Sequence, residues 1–502
     1  MSFAGRIFKI DTLLPVAILA LAVAIRLMVP IDANIDWLVS NCRRFLDGAR
    51  LYKDIVETNP PMAIFIYLPA TVVERLTGWP AEGVFTAMLL VVGTVSAWFF
   101  HRMVRGLVPD THNILLASVL FAVMVAPLSA FGEREHVALV LLLPLYGIAI
   151  RRAAATPVPW PLIVLAGALA GIAPMIKPYF ALGVAAPYLF IALKRRNVFA
   201  LLAPEAMLAA VMLGAYALLV AHFIPAYAKE VVPLLVDLYQ PMRLPLNEVL
   251  ISFKPIMWTL SAICLYIAIR RHVFDPVTGV LMAASAGFLL VMIVQGRNWP
   301  YHAYPAVALM LTAIPQAILP ALTSGVPKRR VPAIAAAIAA CAHLSYFTGF
   351  GYGGGGVVAP IRAVVKHPTV MSISFDLTPG HPITTETQGT WAGTYSSRWI
   401  TANANYLLRR TSDPARRAKL KAWVAYDRGV ANRDLKKHPD IVLVGLGPFN
   451  WPGWIDADPE TRRLMQDYAP LARDTLTPAQ RQRYEGVEAF IRKDLIAAPA
   501  RP

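Results

Sequence analysis

Charge is scarce in this 502-residue chain: only 15% of its residues are Asp, Glu, Lys or Arg, against roughly 25% in soluble domains. That shortage excludes an ordinary water-soluble protein and makes lipid the solvent for most of the chain. Cysteine is scarcer still. Cys42, Cys264 and Cys341 are scattered, with neither the paired spacing of a metal site nor that of a disulfide framework. Acidic residues are outnumbered, 30 against 47 Lys and Arg, for a net charge of +17. The cations cluster at the ends of apolar runs, where membrane orientation and anionic headgroups account for them, so no nucleic acid is expected as a partner. No Rossmann or P-loop fingerprint appears, which argues against an ATP-driven pump. No internal repeat is visible, which weakens an inverted-repeat transporter.

What is abundant is apolar. The hydrophobic share is 57% and the mean hydropathy is +0.54. Runs such as Leu13 to Met28, Ile114 to Leu128, Val137 to Ile150 and Val277 to Val294 approach the length a helix needs to cross about 30 Å of hydrocarbon. No small-residue cleavage site follows the first run, so it reads as a retained helix, not a signal peptide. Cationic clusters at Arg151 and Arg152, Lys194 to Arg196, Arg270 to His272 and Lys328 to Arg330 mark the cytoplasmic face. The alternation predicts a polytopic α-helical protein of the inner membrane with about eleven to twelve membrane segments and a cytoplasmic N-terminus. Residues 131–136, 177–180, 225–247 and 295–304 then face outward.

The apolar run from Pro332 to Phe350 ends the membrane domain, residues 1–350, and a Gly-rich linker, 351–358, leads out of it. Residues 359–502 have a soluble composition, with strand-like Val370 to Phe375 and Ile441 to Val444 and helical-looking Ala415 to Tyr426 and Pro478 to Lys493. A small extracytoplasmic α/β domain is predicted. One stretch resists the alternation: two full spans at Met62 to Val73 and Val84 to Phe100 would put His101, Arg102 and Arg105 outside. One of the two is therefore short, tilted or re-entrant, and re-entrant backbone requires a protein or wet surround.

The first outer loop, residues 31–61, is the most polar stretch of the front half, with Asp32, Asp36, Asp47, Asp54 and Glu57. Trp37 to Leu46 reads as an amphipathic helix with Trp37 and Phe45 at the membrane interface. An acid just beyond the first helix, then this segment, then LDGARLYKDIVETNPPM running into the second helix, resembles the front end of the GT-C glycosyltransferases. Within them it is most similar to the protein-mannosyltransferase and aminoarabinose-transferase branch. The external soluble domain also fits.

The resemblance implies a GT-C-like fold and transfer of a sugar from a polyprenyl-phosphate donor, with inversion, to a lipid, glycan or protein acceptor. It implies a first-loop carboxylate as base, for which Asp36 is the best match and Asp32 the second. Partial desolvation at the interface suits a carboxylate to that task; Asp36 as cap of a helix beginning at Trp37 is the structural alternative. Asp54, Glu57 and Asn59 orient the acceptor or fix the loop, and Tyr52 is a sugar contact or an interfacial anchor. A divalent cation shared by Asp32 and Asp36 stays open, although their spacing is no DxD motif, and no metal site is assigned.

Three further groups carry ionisable residues at outer helix junctions, where charge is expensive and points to function. Glu133, Arg134 and Glu135, beside His136, either neutralise one another or serve a substrate. Lys177 either snorkels to the interface or holds the donor phosphate as a point charge. In the third group Arg297 can grip a phosphate and His302 can donate to it, while Trp299, Tyr301 and Tyr304 offer faces to a sugar or a prenyl chain. Arg134, Lys177, Arg297 and His302 are thus the donor-phosphate candidates. The aromatics of the tail, Trp391, Trp399 and Phe449 to Trp454, read as core. A transporter, flippase or polymerase of lipid-linked glycans is the alternative function.

Overall fold

Proline and glycine decide where the apolar runs break. The structure, a computed structural model, describes residues 3–29, 31–107, 112–269, 275–323, 331–332, 334–338, 341–342, 357–447, 449–471 and 487–497. The cationic clusters at 270–272 and 328–330, the Gly-rich 351–356 and most of the run 332–350 lie outside them. The chain forms two compact units: Met1–Asp32, Asn59–His222 and Arg243–Gly351 in the first, Ala33–Thr58, Phe223–Met242 and Tyr352–Pro502 in the second. Residues 33–58, assigned from the sequence to the membrane domain, therefore fold with the C-terminal residues.

The first unit is helical. Among the described residues, Ala81–Val104, Arg134–Ala153, Pro204–Phe223 and Pro276–Gln295 are long and apolar enough to cross a membrane, and shorter apolar helices include Asn113–Val125, Trp160–Ile176 and Phe253–Ile267. The protein is thus a multi-pass membrane protein. Leu218 and Phe223 remain more than 70% exposed, as lipid-facing side chains do. The disputed stretch resolves into one full span, Ala81–Val104, after a short helix, Leu68–Thr77, of 10 residues. That is about 15 Å of helix, half the hydrocarbon thickness. Between spans, small residues admit close backbones: a Cβ on Gly287 would lie 2.7 Å from the Leu182 carbonyl oxygen.

The second unit carries a five-stranded sheet of β1 (Thr369–Ile373), β2 (Thr390–Trp391), β3 (Ile441–Gly445), β4 (Tyr468–Pro470) and β5 (Val487–Arg492). Its order is β2-β1-β3-β5-β4. β1 pairs in parallel with β2 and β3, while β5 runs antiparallel to β3 and β4. Alternate residues Met371, Ile373, Val442 and Val444 share one face and pack with Ala431, Leu435, Trp451 and Trp454, the core expected of those aromatics. Asp413 caps the helix Pro414–Leu435 by accepting from the Ala415 and Arg416 amides, with Pro414 suited to the first helical position. The expected helix from Pro478 to Lys493 is corrected. Residues 487–492 are strand β5, alternately buried and half-buried; that period of two lies within a polar stretch whose composition resembles a surface helix. Residues 478–486 lie outside the described ones.

Candidate functional site

Three helix junctions bring the ionisable groups of the helical unit together. Gly132, at φ +88°, turns the chain into the helix Arg134–Ala153, with Glu133 at its N-cap. Lys177 ends the helix Trp160–Ile176 in extended backbone, φ −144° and ψ 122°, the conformation that the following Pro178 imposes on its neighbour. Gly296, at φ +62°, ends the helix Pro276–Gln295, as a left-handed glycine commonly does. Four residues on, Pro300 opens the next helix, Pro300–Thr323.

Lys177 is the hub. Its buried ammonium donates to Glu135 Oε1 at 2.7 Å and to Gln295 Oε1 at 3.4 Å. It also lies 5.6 Å from the Tyr301 ring centre and 5.9 Å from that of Phe180. His302 Nε2 is 3.7 Å from the same Glu135 oxygen, and its ring packs with Tyr301 and Trp299 at 4.7 and 5.3 Å between centres. Arg134 Nη2 stands 3.6 Å from Glu133, and the Arg297 guanidinium lies 5.8 Å from the Trp299 ring centre. The Asp32 carboxylate acts on Glu133 as a neighbouring like charge. Asp32, Glu133, Arg134, Glu135, Lys177, Arg297 and His302 therefore belong to one constellation of the first unit.

The constellation is buried without being saturated. Among the described residues, both Glu133 carboxylate oxygens, Glu135 Oε2, Gln295 Nε2 and both His302 ring nitrogens find no hydrogen-bond partner. Buried polar groups are normally satisfied, and such a concentration of exceptions marks a polar binding site. His136, by contrast, is fully used: Nδ1 accepts from the Gly132 amide at 2.9 Å and Nε2 faces the Val123 carbonyl at 2.7 Å. It braces the turn that presents Glu133. Tyr304 is likewise structural, donating to the Ala122 carbonyl at 2.8 Å.

Of the other first-loop candidates, Asn59 lies in the first unit and Asp36, Tyr52, Asp54 and Glu57 lie in the second. The helix there is Ala33–Leu46, so it starts before Trp37 and Asp36 falls within its first turn instead of capping it. Trp37 is not an interfacial side chain: it is 3% exposed, donates to Glu57 Oε2 at 2.6 Å and packs 5.0 Å from the His381 ring centre. Periodicity alone reads a buried aromatic on an amphipathic helix as a membrane anchor; the partner 344 positions away is invisible to it. Tyr52, fully buried at φ +66°, packs 4.9 Å from Tyr227. Asp54 is half-buried and pairs with Arg50 at 2.9 Å, and Asn59 is likewise half-buried. Among the described residues no three His, Cys, Asp or Glu side chains converge as a metal site.

Two residues of the constellation's surround escaped sequence reading. Gln295 was seen only as a loop border. Lys254, 1% exposed at the start of the helix Phe253–Ile269, donates to Asn298 Oδ1 at 2.8 Å and to the Asn298 carbonyl. The signal that could have found it is the one that exposed Lys177, a lone lysine at the border of an apolar run.

No protein-family profile matches the sequence, and no curated protein is similar to it. Solved structures share its fold. ArnT from Cupriavidus metallidurans in the apo state superposes with a TM-score of 0.53 at 12% identity, over 99% of this chain and 100% of that one. ArnT bound to undecaprenyl phosphate does so with a TM-score of 0.52 at 12% identity and the same coverage. At that identity the likeness is one of fold: this chain has the fold of those ArnT structures, a GT-C-like fold being what the phrase before the second helix implied.

Proposed function

We propose that the chain moves a sugar from a polyprenyl-phosphate donor to a lipid, glycan or protein acceptor at the extracytoplasmic face of the membrane, with the C-terminal unit on that side. The observation that carries this reading is the buried, unsaturated constellation around Lys177 in a fold shared with a protein crystallised with undecaprenyl phosphate. Arg134, Lys177 and Arg297 supply positive charge and His302 an imidazole; together they suit a phosphate whose negative charge grows as it leaves. Preorganised charge in a dry site stabilises that transition state more than the ground state.

In the proposed reaction an acceptor oxygen or nitrogen attacks the anomeric carbon from the face opposite the phosphate. The bond from that carbon to the phosphate oxygen breaks, its electron pair leaves with the polyprenyl phosphate, and a carboxylate takes the acceptor proton. The sugar is thereby inverted. Asp36 is the base by its match to the GT-C phrase, and Asp32 is the candidate that shares a unit with the cations. Trp299 and Tyr301 flank the donor sugar or prenyl chain; Glu133 and Glu135 set the balance of charge. Tyr52, Asp54 and Glu57 of the second unit, and Asn59 of the first, shape the acceptor-side loop.

Transfer of labelled sugar from polyprenyl-phosphate donors by the purified protein tests the proposal. Transfer by wild type, lost in Lys177→Met, supports it. Absence of transfer with every donor in a competent membrane extract overturns it in favour of transport of the lipid-linked glycan.

A further inference from the structure

The loop carrying Arg297 is held in an unusual backbone shape by a neighbouring segment of the first unit. Gly296 and Asn298, on either side of Arg297, both have left-handed backbone, φ +62° and +53°. Glycine takes that conformation freely; asparagine does so at a cost its surroundings must cover. The surroundings come from one segment, residues 243–254. The Leu244 amide donates to the Gly296 carbonyl at 2.8 Å. At the far end, the Lys254 ammonium donates to the Asn298 carbonyl and to its Oδ1. Arg297 is therefore clamped from both neighbours.

The same segment reaches the other cationic loop. Arg243 Nη2 donates to the Tyr179 hydroxyl at 2.8 Å, and Tyr179 is two residues beyond Lys177. A Cβ on Gly296 would stand 3.1 Å from the Arg243 Cβ, so the brace and the loop pack directly. Lysine 177 and Arg297 come from separate helix junctions, and a common brace sets the distance between them.

Resting on the donor-site reading above, we propose that Lys254 and Arg243 are positioning residues: they hold the Lys177 and Arg297 loops in register to receive one phosphate group. Lys254 acts through Asn298, keeping its left-handed turn so that the Arg297 guanidinium is aimed in advance. Preorganisation of this kind reduces the ordering that ligand binding would otherwise require.

The test uses the full chain in phosphatidylcholine nanodiscs, with undecaprenyl phosphate as the probe. Binding affinity and amide hydrogen exchange are measured for wild type, Lys254→Met, Asn298→Gly and the double variant. Lys254→Met is expected to weaken binding about tenfold, the scale of one lost charged hydrogen bond. It is also expected to speed exchange at the Leu244 amide in the ligand-free protein. Glycine at 298 adopts the turn unaided, so the double variant should recover both quantities to within about threefold of wild type. Unchanged binding and exchange in Lys254→Met would overturn the proposal. So would a binding loss that Asn298→Gly does not repair while exchange stays at the wild-type rate, which would make Lys254 a direct phosphate contact. If wild type does not bind the probe, the donor reading fails, and the exchange data alone decide whether the brace exists.

Discussion

Lys177 and Glu135, 42 positions apart, meet in a buried ion pair of 2.7 Å, and the chemistry proposed for the helical unit turns on which of them a ligand displaces. A phosphate entering the constellation competes with Glu135 for the ammonium. In the proposed reaction the pair holds the ammonium in place before the donor arrives.

Removing one partner separates stability from function. Lys177→Met leaves the Glu135 carboxylate buried without its cation and should destabilise the protein by about 3–5 kcal/mol. Adding Glu135→Gln removes the orphaned charge, so the double variant should recover most of the thermal stability while sugar transfer stays at least about 100-fold down. Melting curves and initial rates on the same preparations check this. Recovery of both together would show that Lys177 serves only the fold.

Asp36→Asn and Asp32→Asn change one carboxylate each with almost no change of shape. The variant that removes the proton acceptor should lower kcat by about 100- to 10,000-fold with little change in the donor KM. The other should remain within about tenfold of wild type. Equal, near-wild-type rates in both would move the base to another carboxylate.

The second unit has a buried guanidinium as its keystone. Arg398, fully buried, bonds Asp427 at 3.2 Å and Asp434 at 2.9 Å, while Asp434 also accepts from the Thr394 amide and Lys437. Arg398→Met takes the buried cation from Asp427 and leaves Asp434 with Lys437 alone, and should cost about 3–5 kcal/mol. The loss should appear as early unfolding of peptides from the sheet in hydrogen exchange. Helix peptides such as 276–295 serve as the control.

His381 supplies a pH dependence. Burial first, opposed by its hydrogen bond to the Ser396 carbonyl, pushes its pKa down to about 3 from 6.5. A histidine depressed on folding contributes stability that is fully present above its unfolded value and is lost as pH falls through the window from about 6.5 to 3. The melting temperature of the second unit should therefore drop across that window. His381→Phe should flatten the drop, and an unchanged slope in the variant would show that the imidazole is not the group responsible.

Much of the membrane architecture was legible in the sequence because hydropathy is local. The run Val277 to Val294 lies inside the helix Pro276–Gln295, and the strand-like Ile441 to Val444 is strand β3. The three junctions that carry Glu135, Lys177 and His302 were readable for the same reason: a charge beside an apolar run is conspicuous in any alignment of residues with lipid depth. Lys254 carries the same mark at the start of the apolar helix Phe253–Ile269, and sequence reading passed over it. The helix expected at 478–493 failed where a short alternation, residues 487–492, competed with a longer polar composition.

By itself the sequence determined where the chain must enter lipid, where it must turn, and the extended backbone of Lys177, because each of these follows from a residue and its immediate neighbours. Only the tertiary structure decided the partners: Lys177 with Glu135, Lys254 with Asn298 and Trp37 with His381. A buried charge or indole has no preferred partner at the level of sequence spacing, and the choice is made by which helices can approach closely enough, as Gly287 lets its helix approach Leu182. Packing selects the neighbours, and the low-dielectric interior then makes the selected pairings strong.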